Sequence, residues 1–234
     1  GTVFYMTDVQ TEANSHATPY IKSGSTTGSR SNTGSLIDLK RTTDIDVSNV
    51  SFDSTGQPEF DGSDDDFPLT NDGRFSPGTG DFSWSGIIYV EATSGTYSMI
   101  WYGNANGGAH GFGVGTQGNG TTLRYEVYGT TGSRQTTTYA YTSYMNSYHN
   151  VTVTLDATNF LIKLYIDGEL KLTTQKLDWG SLNASTGASG CYVGSHAGQW
   201  FFKGKLPLMN IYNKELSAQE VLQNFNAYKN RFNI

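Results

Sequence analysis

From Ile45 onward, apolar and polar residues alternate with a period of two along much of the chain, and this alternation predicts strands. Phe60 with its flanks, Phe82–Glu91, Tyr97–Tyr102, Phe112–Val114, Leu123–Tyr128 and Thr136–Tyr141 form the first set. Within Leu123–Tyr128, Leu123, Tyr125 and Val127 fall on one side, opposite Arg124, Glu126 and Tyr128. Asn150–Leu155 and Phe160–Ile166 make the clearest hairpin, with Val151, Val153 and Leu155 facing Phe160, Ile162, Leu164 and Ile166. Asp167-Gly168 supplies the next turn and Glu169–Thr173 returns from it. Cys191–Gly194 and Phe201–Tyr212 close the series. Strands spaced by roughly ten residues with no helix between them predict an all-β sandwich of two sheets.

The pattern changes only at the C-terminus. Ser217 is a good N-cap, and Glu220 stands at the third helical position, which together make a capping box. Leu216 and Val221 have the spacing of a hydrophobic staple. Val221, Phe225, Tyr228 and Phe232 then form one apolar stripe on a short amphipathic helix. With no other helical pattern in the chain, this helix must lie on sheet.

Composition supports the same picture. The 234 residues include 28 Gly and 15 Tyr, and aromatic residues make up 13% of the chain. Such a chain favours short strands, many turns and a core filled by large rings. Charged residues are only 15% of the total and the net charge is −6, which argues against a nucleic-acid partner or a polybasic membrane contact. No apolar run approaches the roughly 20 residues of a membrane span. Cys191 is the single cysteine, so no internal disulfide can form, which favours assembly in a reducing cytoplasm. Residues 1–34 are polar and turn-rich, with Val3–Met6 and Tyr20–Ile21 as the only strand-like pieces. They read as an N-terminal arm, either a flexible linker or a segment that pairs with a neighbour.

Several stretches resemble one family. Phe60-Asp61-Gly62-Ser63-Asp64-Asp65 is similar to an early motif of laminin-G-like, concanavalin A-type jelly-roll domains, and Leu164-Tyr165-Ile166-Asp167-Gly168 resembles their hairpin. Gly204-Lys205-Leu206, followed by Ile211-Tyr212-Asn213-Lys214-Glu215-Leu216-Ser217, looks like their final strand. The ending Asn224–Phe232 resembles versions common in tailed-phage structural proteins. The resemblance spans Ser35 to Phe232. It implies an antiparallel two-sheet jelly-roll β-sandwich over residues 35–234, sealed by one C-terminal α-helix. Pro207-Leu208 departs from the family's closing strand, and a proline there implies an edge or a bulge. An edge would put partner docking along that strand within reach.

Candidate chemistry is sparse. Glycosidases need two carboxylates about 5 to 9.5 Å apart, and no Glu-x-Asp-x-x-Glu pattern occurs. Glu91 and Glu126 read as lone, solvated acids at strand ends. No nucleophile elbow is present, and His16, His110, His149 and His196 are scattered, so a nucleophilic triad has no support in the sequence. The chain is therefore expected to be non-catalytic. Asp64, Asp65 and Asp66 belong to the only dense acidic cluster and are the candidate calcium ligands, with turn chemistry as the alternative. For carbohydrate, Trp101, Tyr102, Asn104, Asn106, His110, Tyr128 and Trp200 are the candidate contacts, combining aromatic platforms with planar polar groups. Trp101 also reads as core.

These readings lead to a structural or recognition module of a bacteriophage virion, displayed as a decoration, fibre or tail domain. Its expected partners are other virion proteins or itself, as a homo-oligomer such as a trimer, and a cell-surface glycan. Its expected place is the virion, assembled in the bacterial cytoplasm. The alternative is a secreted carbohydrate-binding module or glycan-active enzyme of the same fold.

Overall fold

The structure is a computed structural model that describes residues 49–54, 56–69, 77–93, 95–103, 111–132, 134–182 and 191–234. The N-terminal arm, residues 35–48, and Asn104, Asn106 and His110 lie outside the described residues.

The first strands are β1 (Ser51–Phe52), β2 (Pro58–Asp61), β3 (Phe67–Leu69), β4 (Phe82–Val90), β5 (Tyr97–Tyr102), β6 (Gly111–Gln117) and β7 (Thr122–Tyr128). They continue with β8 (Arg134–Ala140), β9 (Tyr148–Asp156), β10 (Leu161–Ile166), β11 (Glu169–Gln175), β12 (Cys191–Val193) and β13 (Lys203–Tyr212). Helix α1 (Ala218–Phe232) ends the chain. The strands form two antiparallel sheets, one of seven in the order β1-β2-β13-β4-β9-β10-β11 and one of six in the order β3-β12-β5-β6-β7-β8. The short strands β1 and β3 carry too few residues to display an alternation, which is why the sequence pattern misses them.

The core lies between the sheets. The predicted hairpin forms with Val151, Val153 and Leu155 beside Ile166, Leu164 and Ile162. Across from β9, β4 sets Phe82 beside Leu155 and Trp84 beside Val153. Trp84, Trp101 and Trp179 are fully buried, and each ring removes a large apolar area from water. Phe160 stands just before β10 at φ 53° and packs edge-on against Trp179. Pro207 falls in a bulge between Lys205 and Leu208. This strand is not a sheet edge, because β13 lies between β2 and β4.

The helix forms as the sequence predicts. Ser217 accepts the Glu220 amide and Glu220 accepts the Ser217 amide, so both halves of the capping box are present. Val221 packs with Leu216, Tyr165 and Tyr212 on the outer face of the seven-stranded sheet, and Phe232 meets Tyr148. The Ser83 hydroxyl accepts the Leu216 amide at 3.0 Å and donates to the Lys214 carbonyl at 2.8 Å, pinning the chain where the helix begins. Among the described residues no helix is long and apolar enough to cross a membrane. The outer face of the six-stranded sheet carries no helix among the described residues.

Candidate functional site

That helix-free face gathers rings and charges. A bulge in β5 decides which ones. Between Met99 and Trp101 the register shifts by one residue, so Ile100 and Trp101 both enter the core. Tyr102 and Met99 are left on the outer side. Opposite them β6 presents Gly113, whose missing Cβ is what lets Tyr102 lie close: a Cβ there would stand 2.3 Å from its ring.

The chain between β12 and β13 crosses above Tyr102. Ala197 and Gly198, at φ 52° and 72°, form a left-handed turn closed by paired backbone hydrogen bonds between His196 and Gln199. The turn is tied down on both sides. The Met99 amide donates to the Trp200 carbonyl at 2.8 Å, and the Ser195 hydroxyl donates to Asp66 at 2.6 Å. His196 lies 4.5 Å from Tyr102 and 4.7 Å from Trp200, centroid to centroid, and Tyr97 meets Trp200 at 5.7 Å. Trp200 itself holds φ 54°, a sparsely populated conformation for a residue with a side chain.

Beside this ridge stands a charged centre. Arg124 and Glu126 pair on β7, and Arg124 also lies over the Tyr97 ring at 4.8 Å. From β8, Arg134 covers Tyr128 at 5.6 Å and places its Nε 4.0 Å from the Glu126 Oε1. Glu126 is only 1% exposed, held by Arg124 and enclosed beside the Tyr102 phenol. Burial, then the Glu126 charge, push the Tyr102 phenol far above its ordinary value of 10. Burial holds the His196 imidazole below its ordinary value. Two of the three arginines among the described residues are on this face, in a protein of net charge −6. The arrangement can stack an apolar ring face and donate from the half-exposed Arg134 guanidinium.

Residues 61–222 match the laminin G family model described as the concanavalin A-like lectin/glucanases superfamily. The chain belongs to that superfamily. No curated protein matches the sequence. Among solved structures, the botulinum neurotoxin serotype D binding domain aligns with a TM-score of 0.64 at 18% identity, over 82% of this chain and 50% of that one. The binding domain of Paraclostridial Mosquitocidal Protein 1 aligns at 0.65 with 16% identity, over 83% and 50%. The serotype D ligand-binding domain solved in complex with N-acetylneuraminic acid aligns at 0.63 with 18% identity, over 79% and 46%. The chain thus spans about half the length of these solved domains, and at such identities the likeness is one of fold.

Within this lectin/glucanase-type sandwich, the residues expected to bind sugar separate. Tyr102, Tyr128 and Trp200 come together on the outer face. Trp101 does not: it is 0% exposed, stacked on Phe82 at 5.9 Å, and presents no surface to a ligand. The β5 bulge is the reason, since strict alternation would have put Trp101 and Ile100 on opposite sides. Glu126 corrects a second expectation. It stands inside β7, buried and paired, rather than solvated at a strand end. Tyr97, Arg124, Arg134 and His196 were not singled out, although Arg124 and Glu126 already shared the outward parity of Tyr128.

The acidic turn also takes shape. One carboxylate oxygen from each of Asp61, Asp64 and Asp65 lies within 4.8 Å of the others. Much of their accepting capacity serves the backbone. Asp61 accepts the Ser63 amide at 2.6 Å, and Asp65 accepts the Asp61 amide at 2.7 Å. Asp66 points away to Ser195. Burial, together with repulsion from Asp61, Asp64 and Asp66, raises the Asp65 pKa against the lowering effect of the Asp61 amide. These oxygens suit a hard cation such as calcium in type. Asp66 is not among those that converge.

Proposed function

We propose that this domain is a glycan-recognition module, displayed on a bacteriophage virion as a decoration, fibre or tail domain. The work of its outer sheet face is binding rather than turnover. One observation carries the reading: a partly exposed aromatic ridge of Tyr97, Trp200 and His196 stands on the same sheet face as the half-exposed Arg134 guanidinium, which a buried carboxylate holds in place. A sugar ring satisfies both halves, because its C–H face stacks on aromatic rings while its oxygens accept from the guanidinium. The solved binding domains of similar fold support the reading, one of them in complex with N-acetylneuraminic acid. The phage setting rests on the resemblance of the C-terminal ending to tailed-phage proteins. There, the partners are a host surface glycan, neighbouring virion proteins, and further copies of the chain, a trimer being the proposed assembly. A secreted carbohydrate-binding module is the second reading, favoured by the same face.

The test is a glycan-array screen of the purified protein, with and without a calcium chelator. Specific binding that is lost in Trp200→Ala supports the sugar face. A dependence on calcium would bring the Asp61–Asp65 turn into the site. Silence in both conditions rejects glycan recognition and leaves an architectural role built on protein contacts.

A further inference from the structure

A second constellation stands on the other sheet, where the sequence offered no triad. The Ser147 hydroxyl lies 2.9 Å from His149 Nε2, and His149 Nδ1 lies 2.7 Å from Asp167 Oδ2. Two strands build it. His149 is the second residue of β9, and Ser147 is the residue just before that strand. Asp167 follows β10, whose Ile166 pairs with Val151. The Asp167 carboxylate is fixed by its second oxygen, which accepts the Asn150 amide at 2.9 Å, while the Asp167 amide donates to the Asn150 carbonyl at 2.8 Å. Tyr144 packs edge-on against the imidazole at 5.0 Å. Ser147 itself is exposed, and its one hydroxyl proton has two acceptors in reach, the Tyr144 carbonyl at 3.2 Å and the nearer His149 Nε2.

With Nδ1–H donated to Asp167, Nε2 is left as the acceptor facing Ser147, the tautomer a general base requires. We infer that Ser147, His149 and Asp167 form a nucleophilic site that hydrolyses carboxylic esters. Ser147 Oγ forms a bond to the ester carbonyl carbon while its proton passes to His149 Nε2. Collapse of the adduct breaks the carbon–oxygen bond to the alcohol, which leaves with that proton. Water then adds to the acyl-serine, gives its proton to His149, and releases the acid as the proton returns to Ser147. The sum is ester plus water to acid plus alcohol, with the enzyme unchanged.

The sequence hid the site for two reasons. The serine lies in no elbow motif, and the acid arrives 20 positions later through the hairpin.

The experiment treats the full chain with a fluorophosphonate probe and, separately, with p-nitrophenyl acetate. The expected results are a single covalent adduct mapped to the Ser147 peptide, and hydrolysis that falls about 100-fold in Ser147→Ala. No adduct at Ser147, or equal hydrolysis by the parent and Ser147→Ala, overturns the inference and leaves the three residues as a hairpin fastening. The adduct is read on the unaltered protein, so it stands whether or not the variant folds.

Discussion

His196 lies over Tyr102 with ring centroids 4.5 Å apart, held there by a left-handed turn that nothing in the period-two pattern announces. The imidazole loses water in that position, and this loss is the main cause of its lowered pKa. Glu126 opposes the shift, and Arg134 and Arg124 reinforce it. The folded state therefore binds the His196 proton less readily than the unfolded chain does. Its contribution to stability is complete above the unfolded value of about 6.5 and is lost as pH falls below it. A melting series from pH 8 to pH 5 should show this loss, and His196→Phe, which keeps a ring but cannot titrate, should remove part of it. Parallel curves for the two proteins would show that the ring contributes no proton linkage.

The charged centre makes a prediction of opposite character. Glu126 and Arg124 are both buried and paired, so removing one strands the other. Glu126→Ala should cost about 3 kcal/mol in chemical denaturation. Replacing both, as Arg124→Met with Glu126→Leu, should recover most of that loss while abolishing glycan binding. Retained binding in the double variant would make the pair structural only.

The two sheets, the Asn150–Ile166 hairpin and the capping box were all legible, because each rests on a local spacing. The candidate site was not, because alternation tells which side a residue leaves by and not what covers that side. Glu126 shows this: its outward parity was plain, but Tyr102 and Arg134 come from other strands. Trp101 shows a second limit, since one inserted residue at the β5 bulge reverses every side chain beyond it. Ser147, His149 and Asp167 show a third, being joined only by hairpin register.

The helix cap should be measurable as a unit. Ser217→Ala removes the acceptor for the Glu220 amide and should cost about 1 kcal/mol. Glu220, held down to about 2 first by Lys214 and then by Ser217, should keep the cap intact at neutral pH. That contribution is present above the unfolded value of about 4.5 and disappears as pH falls toward 2. Helical signal followed by circular dichroism should start lower in Glu220→Gln at neutral pH and approach the parent's as pH falls through this range, because the glutamine cannot titrate. Coincident curves would remove Glu220 from the cap.

The acidic turn runs the other way. Asp65 is raised by burial and by its neighbours, so its ionisation opposes folding. Stability tied to its proton is full below about 3.8 and lost as pH rises through the folded value. Asp65→Asn, which cannot ionise, should therefore melt at a modestly higher temperature than the parent at pH 7. The gain should vanish near pH 3. A variant that melts lower at both pH values would mean that the hydrogen bond to the Asp61 amide outweighs the repulsion.

Two tryptophans give the sharpest contrast between scaffold and site. Trp101 packs between Phe82 and Phe112 in the core, and Trp200 stacks on Tyr97 and His196 outside it. Trp101→Ala should cost about 3–5 kcal/mol through the cavity it leaves. Trp200→Ala should cost about 1 kcal/mol, the worth of an aromatic contact, and leave the sandwich folded. Fluorescence should divide in the same way. Trp101 emission should stay blue and unmoved by added glycan, while any ligand-induced change in the native spectrum should disappear in Trp200→Ala. A spectral response that survives in Trp200→Ala would move the ligand away from the ridge, because the other rings there are tyrosine and histidine and absorb little at the exciting wavelength.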